Sequence, residues 1–541
     1  EMMSEKKENS KNLSRREFLK YTGVTGLVGT SILSGLGSVK SFAQSNAGGT
    51  LNVITDSVID SLNMITTSWM PTAANWIYGV WVTRDYNFNF QPGMVKSWDI
   101  SDGGRTWTLK LQEGMKFHDG EPLTADVFEW WIPILKEGST GYDWEAVKEW
   151  KALDKHTIEI KMSEPYPYFL RTLNSAYSSP VSPKAWEKWG KDKYGYDRIV
   201  GAGPYKIAER PNDDKIVLER FEDFDWGAPW WDNQGPGYLD NVVLEYIKET
   251  ATRMARLETG EADVVWSGLP PIKYEQYQQR DDINVIKAAS NLVHYMGFDQ
   301  RDELLKDRKV RLAIAHAINR QPIHNTVYRK TGEPGHQFLR KFIPASDIPE
   351  EYKYYYNPDK AKKLMKEAGW KDVGTGKVAK KDGVKFEIVT MIPDQTKLKQ
   401  VATVVRDQLL NEIGVQLNIE SYDTQTFNAK EKEGTFNAEI MYYGYDHPSI
   451  FHWFFHSDMR PQPNSWGVND PKVDRLDEEA RTAASPEELQ EIYKELNIYL
   501  QKDIVPTAAI YFPGSLEAIR ERVKGWKTLT LGGSPICNLK V

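Results

Sequence analysis

The chain has 541 residues, 40% of them hydrophobic and 27% charged, the make-up of a folded protein of two or three domains and not of a disordered one. Its 69 Lys+Arg against 76 Asp+Glu leave a net charge of −7, which excludes a general nucleic-acid binder, because neutralising phosphates needs a basic face. One cysteine, Cys537, excludes an internal disulfide framework and any Cys-rich zinc module.

In chain order, the first feature is SRREFLK at 14–20, which resembles a twin-arginine (Tat) export signal. A weakly apolar stretch follows from Tyr21 to Leu36, shorter than the ~20 residues a membrane span needs. Ser41-Phe42-Ala43 has the small-x-small pattern of a cleavage site. A signal peptide over 1–43 and a mature chain starting at Gln44 with net charge −10 are therefore expected. No cysteine stands near the cleavage point, so the expected product is a released periplasmic protein and not a lipoprotein. Beyond residue 44 no apolar run is long enough to span a bilayer. A phosphate-binding G-x-x-x-x-G-K-[ST] loop is also missing; Gly374-Thr375-Gly376-Lys377 lacks the spacing and the final hydroxyl.

Strands are predicted at 50–55, at 106–111 and at 156–162. In the second, Trp107, Leu109 and Leu111 alternate with Thr106, Thr108 and Lys110; in the third, Ile158, Ile160 and Met162 share a face. Further strands are expected at 214–221, 242–247, 385–391 and 437–443. A helix is predicted over 307–320, where Val310, Ala313, Ile314 and Ala317 fall at i, i+3, i+4, i+7. Amphipathic helices follow at 358–368 and 397–412. Ser485-Pro486-Glu487-Glu488 reads as a capping box with proline at the first helical position, before a face of Leu489, Ile492, Tyr493, Leu496 and Leu500. The polar stretch 371–384 reads as a surface loop. Interleaved strands and helices imply α/β lobes.

The run QPGMVKSWDISDGGRTWTLKLQEGMKFHDGEPLTADV at 91–127 resembles the signature of the family 5 extracytoplasmic solute-binding proteins, the peptide- and nickel-binding group that feeds ABC importers. Gly114, Phe117, His118, Asp119, Gly120, Pro122, Leu123, Thr124 and Ala125 carry the likeness. It continues through VGAGPYKI at 200–207, RMARLETGEADVVWSGLPP at 253–271, YMGFDQRDELLKDRKVRLAIAHAINR at 295–320 and NDPKVDRLDEEA at 469–480. The resemblance implies an α/β, two-lobed, periplasmic-binding-protein-like fold of class II, cluster C, with an extra α/β subdomain inserted in the first lobe. The implied division is lobe 1 over 44–76, 200–288 and 512–541, the inserted subdomain over 77–199, and lobe 2 over 289–511. Hinge strands are expected near 286–296 and 505–513.

A cleft between lobes needs large contact area at low entropy cost, which aromatic rings supply. Candidates cluster at Trp69, Trp76 and Trp81, at Trp130-Trp131, at Trp226, Trp230 and Trp231, and at Trp266, Tyr443, Tyr445, Phe451 and Trp453. Positions after strands are favoured, which selects Trp69, Trp266, Tyr443, Tyr445 and Trp453 as ligand-binding, with core packing as the alternative for each. In YYGYDHPSIFHWFFHSD at 442–458, the resemblance implies that Asp446 holds a peptide's α-ammonium; a turn-forming Asp is the other reading. His452 and His456 would share a helix face, as a packing surface or as metal ligands; no metal and no cofactor are expected.

The sequence contains no nucleophile elbow and no metalloprotease helix. The expected function is that of a periplasmic solute-binding component of an ABC importer, without enzymatic activity. It would capture a peptide or similar small solute, such as an oligosaccharide, by lobe closure and deliver it to a membrane permease with its ATPase. A monomer with no nucleic-acid partner is expected. The alternatives are a secreted hydrolase of peptides or sugars and a receptor subunit for a sensor.

Overall fold

Alternation decides the first sheet. The computed structural model describes residues 48–57, 59, 61–66, 73–86 and 88–541 apart from 529–534; the signal sequence and Trp69 lie outside the described residues. Thr50–Thr55 is a strand with Leu51, Val53 and Ile54 buried. It pairs in parallel with Asn241–Tyr246 on one side and Val264–Val265 on the other. Seven strands complete this sheet, in the order Ile283–Ala289, Gly514–Arg520, Val264–Val265, Thr50–Thr55, Asn241–Tyr246, Lys215–Arg220 and Tyr205–Asn212.

The insertion carries its own antiparallel sheet of four strands, Val95–Ser101, Thr106–Leu111, Thr157–Met162 and Val147–Asp154 in spatial order. Trp107, Leu109, Leu111, Ile158, Ile160 and Met162 are buried, as their spacing predicts. These residues share one hydrophobic cluster with Leu51, Val53 and Leu244 of the seven-stranded sheet. The insertion and the first lobe thus have a common core.

The second lobe is built on six strands, ordered Glu333–Pro334, Thr507–Phe512, Leu292–Phe298, Ala438–Gly444, Glu387–Pro393 and Gln416–Tyr422. Thr396–Ile413 packs Leu398, Val401, Ala402, Val405, Leu409 and Ile413 into its core and ends at Gly414, φ 74°. The helix predicted over 307–320 is Arg308–Ala317; it stops early because the Asn319 side chain caps a new turn at Gln321. Ser485 accepts from the Glu488 N–H at 3.2 Å and Glu488 reaches back to the Ala484 N–H at 2.9 Å. The expected loop at 371–384 contains a hairpin, Lys380–Lys381 against Val384–Lys385. Asp382 and Gly383 both have positive φ, 51° and 83°, as a primed two-residue turn requires.

The chain passes between the two large sheets twice, between Ala289 and Leu292 and at Pro513. Both crossings fall within the expected hinge segments, and one side chain joins them. Arg340, buried in the second lobe, donates from Nη1 to the Ser290 carbonyl and, at 2.9 Å, to the Pro513 carbonyl. Ser290 Oγ also donates to Pro513, at 2.7 Å. Replacing Arg340 with Met takes the donor from the Ser290 carbonyl and leaves Pro513 with Ser290 Oγ alone, a cost of about 1–3 kcal/mol. Denaturant unfolding of Arg340→Met should show that loss, and an unchanged midpoint would refute the role.

Candidate functional site

Two glycines set the position of the first aromatic wall. A Cβ on Gly201 would stand 2.3 Å from the Ile77 carbonyl oxygen, and one on Gly203 would stand 2.5 Å from that of Trp76. Only glycine lets this loop lie against the helix Ala74–Tyr78. The Phe117-His118-Asp119-Gly120 run secures the same loop. His118 donates its backbone N–H to Gly201 at 2.9 Å and sets Nε2 3.0 Å from the Gly203 carbonyl. Burial lowers the His118 imidazole to about 4, so the ring is neutral at pH 7. The motif that carries the family resemblance is thus a brace between insertion and lobe.

Trp76, so placed, lines a pocket of the first lobe that opens to solvent, whose walls include Met94, Trp226, Trp230, Trp231 and Arg84. Trp226 donates to the Ala202 carbonyl at 2.9 Å and Trp230 to Thr83 Oγ1 at 3.0 Å, so both rings are fixed.

Arg84 ends the strand Val82–Arg84, which pairs with Phe90–Pro92. The intervening turn is held by Asp85, whose carboxylate accepts from Asn89 N–H at 3.0 Å, Asn89 Nδ2 at 3.2 Å and Gln91 Nε2 at 3.0 Å. Phe88 in this turn has φ 66°, a conformation uncommon outside glycine. Its ring stacks on Phe342 of the second lobe, centroids 4.4 Å apart.

A charged contact joins the lobes beside that stack. Asp446 lies 3.4 Å from Arg84 Nη1 and accepts from Arg171 Nε at 3.3 Å. Burial pushes the Asp446 carboxyl up, but Arg171 and Arg84 together outweigh it and bring it down to about 2. Asp446 holds Arg171 above the usual guanidinium range, whereas burial pulls Arg84 down. Burial also lowers His447 to about 3, leaving it neutral. Nearby, the Tyr168 and Tyr493 hydroxyls bond across the same junction.

The selected residues that the structure describes fall into four groups. Tyr443 and Trp453 are 44% and 50% exposed. Trp266 is a second layer behind the pocket: it stacks on Trp76 with centroids 5.2 Å apart and planes 8° from parallel, and meets the edge of Trp526. Tyr445 is buried, stacked on Phe338 with its hydroxyl donating to the Phe338 carbonyl at 2.5 Å. Asp446 has two guanidinium partners. The pocket walls Trp226, Trp230 and Trp231 belong to a cluster visible in the sequence; preferring strand ends passed over them. Arg84 and Arg171 carried no local signal.

His452, His456 and Asp477 place ligand-capable atoms within 4.8 Å of one another. His452 Nδ1 is 2.7 Å from Asp477 Oδ2, and Asp477 also accepts from the Tyr493 hydroxyl at 3.2 Å. The Arg481 guanidinium sits 3.3–3.4 Å from both His452 ring nitrogens. A side-chain cation already stands where a metal ion would approach His452.

Two α/β lobes joined by two adjacent chain crossings, with an aromatic pocket beside their junction, define a solute-binding protein of the two-lobed type. The chain belongs to the bacterial extracellular solute-binding proteins, family 5 (Middle), whose family model matches residues 89–461. It is 24% identical over 473 residues to the oligopeptide-binding protein AppA of Bacillus subtilis, covering 84% of each chain. It is 26% identical over 478 residues to the periplasmic oligopeptide-binding protein OppA of Salmonella typhimurium, covering 83% of each. The fold is similar to that of HbpA2 from Haemophilus parasuis, with a TM-score of 0.79, 20% identity, and coverage of 91% of this chain and 100% of that one. No helix among the described residues is long and apolar enough to cross a membrane.

Proposed function

We propose that the protein is the solute-capturing component of an ABC importer that takes a peptide or similar small solute into its cleft by lobe closure and releases it unaltered to a membrane permease. The observation that carries this reading is the pair of crossings between two lobes pinned by Arg340, with an aromatic pocket in the first lobe. Two crossings permit a hinge rotation of one lobe on the other, and a ligand drives it by binding the closed form more tightly than the open one. The names of the relatives, oligopeptide-binding proteins, support a peptide or peptide-like cargo.

Lobe 1 comprises 44–76, 200–288 and 512–541, with 77–199 inserted, and lobe 2 comprises 289–511; the sheet changes after Ala289 and at Pro513 support the two ends of lobe 2 to within about two residues. Tyr443 and Trp453 offer exposed rings to the ligand, and Trp266 backs Trp76. Tyr445 and Asp446 shape the junction, Asp446 as a counter-charge across it. The protein acts without catalysis, as a monomer, after Tat export to the periplasm.

Mass spectrometry of the purified protein should recover a small solute that leaves unchanged after incubation, and scattering curves should contract when that solute saturates the protein. Turnover of the solute, or identical curves with and without it, would defeat the reading.

A further inference from the structure

We propose that the first-lobe pocket selects a ring-bearing solute with a single acid group, the acid lying on the Arg84 guanidinium and the ring between the tryptophan walls. The inference deepens the proposed function and rests on it.

Four pocket-lining residues carry a buried polar atom with no protein partner: Asn75 Oδ1, Trp76 Nε1, Arg84 Nε and Trp231 Nε1. Three are donors and one is an acceptor. Each of these atoms is closed to solvent where it stands, so a solute reaches one only by shifting the side chain that carries it; where it does, an acceptor satisfies three of the four. A neutral sugar or amide brings donors and acceptors together; a carboxylate brings acceptors alone.

Charge points the same way. Arg84 is always protonated and its side chain is 11% exposed. Its ion pair with Asp446 is long, at 3.4 Å, while the other Asp446 oxygen accepts from Arg171 at 3.3 Å. An incoming carboxylate can therefore take over at Arg84 while Asp446 stays neutralised by Arg171. The other charged wall, Asp85, spends its carboxylate on Asn89 and Gln91. An α-ammonium would meet the Arg84 guanidinium. The rings of Trp226 and Trp230, their own donors committed, supply flat faces for an aromatic or pyranose ring.

The test is a thermal-shift screen of the full chain against several hundred solutes grouped as monoacids, neutral compounds and amines, followed by titration of two matched pairs. Phenyl β-D-glucuronide against phenyl β-D-glucoside tests a sugar acid; N-acetyl-Trp-Trp against its C-terminal amide tests a peptide carboxylate. Ring-bearing acids should dominate the hits, and the acid of at least one pair should bind ten-fold or more tighter than its neutral partner. Arg84→Gln should cut that preference below two-fold. Trp231→Phe, which keeps the ring and removes one donor, should weaken the acid several-fold and serves if Arg84→Gln folds poorly. Hits that are mainly neutral or amines, or a preference that survives both substitutions, would overturn the inference and leave the binding reading intact. A screen with no hit at all would overturn the binding reading, and this inference with it.

Discussion

Asp446→Asn should loosen the junction between the lobes. The wild-type carboxylate faces Arg84 and Arg171, with side-chain exposures of 20%, 11% and 39%. An amide in its place leaves two guanidiniums close together with only Asp143, 3.9 Å from Arg171, to balance them. Breaking a fully buried pair costs about 3–5 kcal/mol; the partial exposure of Arg171 screens this to about 2 kcal/mol. The expected result is a larger radius of gyration and a lower unfolding midpoint. Acid should reproduce it. The folded carboxyl titrates at about 2, below its ordinary value near 3.8. Its stabilisation is therefore complete above about pH 4 and is lost as pH falls through 2. Asp446→Asn that scatters like wild type at pH 7 would show the contact to be inert.

The second large effect has the opposite sign. Glu517, in the strand Gly514–Arg520, is 1% exposed. It accepts from Trp526 Nε1 at 2.8 Å and from the Thr528 hydroxyl. Burial raises its carboxyl to about 7, despite those two bonds. A carboxyl raised on folding binds more protons in the native state, so stability falls as pH rises from about 4.5 through 7. The ionised form then carries a penalty of about 3 kcal/mol. Glu517→Gln keeps an oxygen for both donors and has no charge to bury. It should be more stable than wild type by up to about 3 kcal/mol at pH 8, with the gain vanishing near pH 4. Chemical denaturation at both pH values decides; a difference that does not change with pH would reject the explanation.

Much of the fold was legible because burial is written in period. The strand at 106–111 and the helix over Thr396–Ile413 bury the faces their spacing predicts. The hairpin at 380–385 was not, because its strands have two residues each and both are exposed; only the Asp-Gly turn betrays it. The site was legible as composition and not as geometry. A run such as Trp226, Trp230 and Trp231 marks an aromatic wall, but nothing local tells that Trp266 lies one layer deeper, behind Trp76. Charge partners were harder still. Arg171 and Asp446 are 275 residues apart in sequence, and their meeting depends on how two lobes abut. The same holds for His452 and Asp477, where the i, i+4 histidines were visible and the buried acid 25 residues on was not.

The continuous core shared by the seven-stranded sheet and the inserted four-stranded one has a mechanical consequence. With no lubricating layer between them, these two parts form a single stiff jaw, so whatever swing the molecule makes leaves the geometry around Trp76 and Trp230 undistorted. Evolution can therefore reshape the rim of that jaw, through turns such as the one bearing Phe88, without recutting its axle.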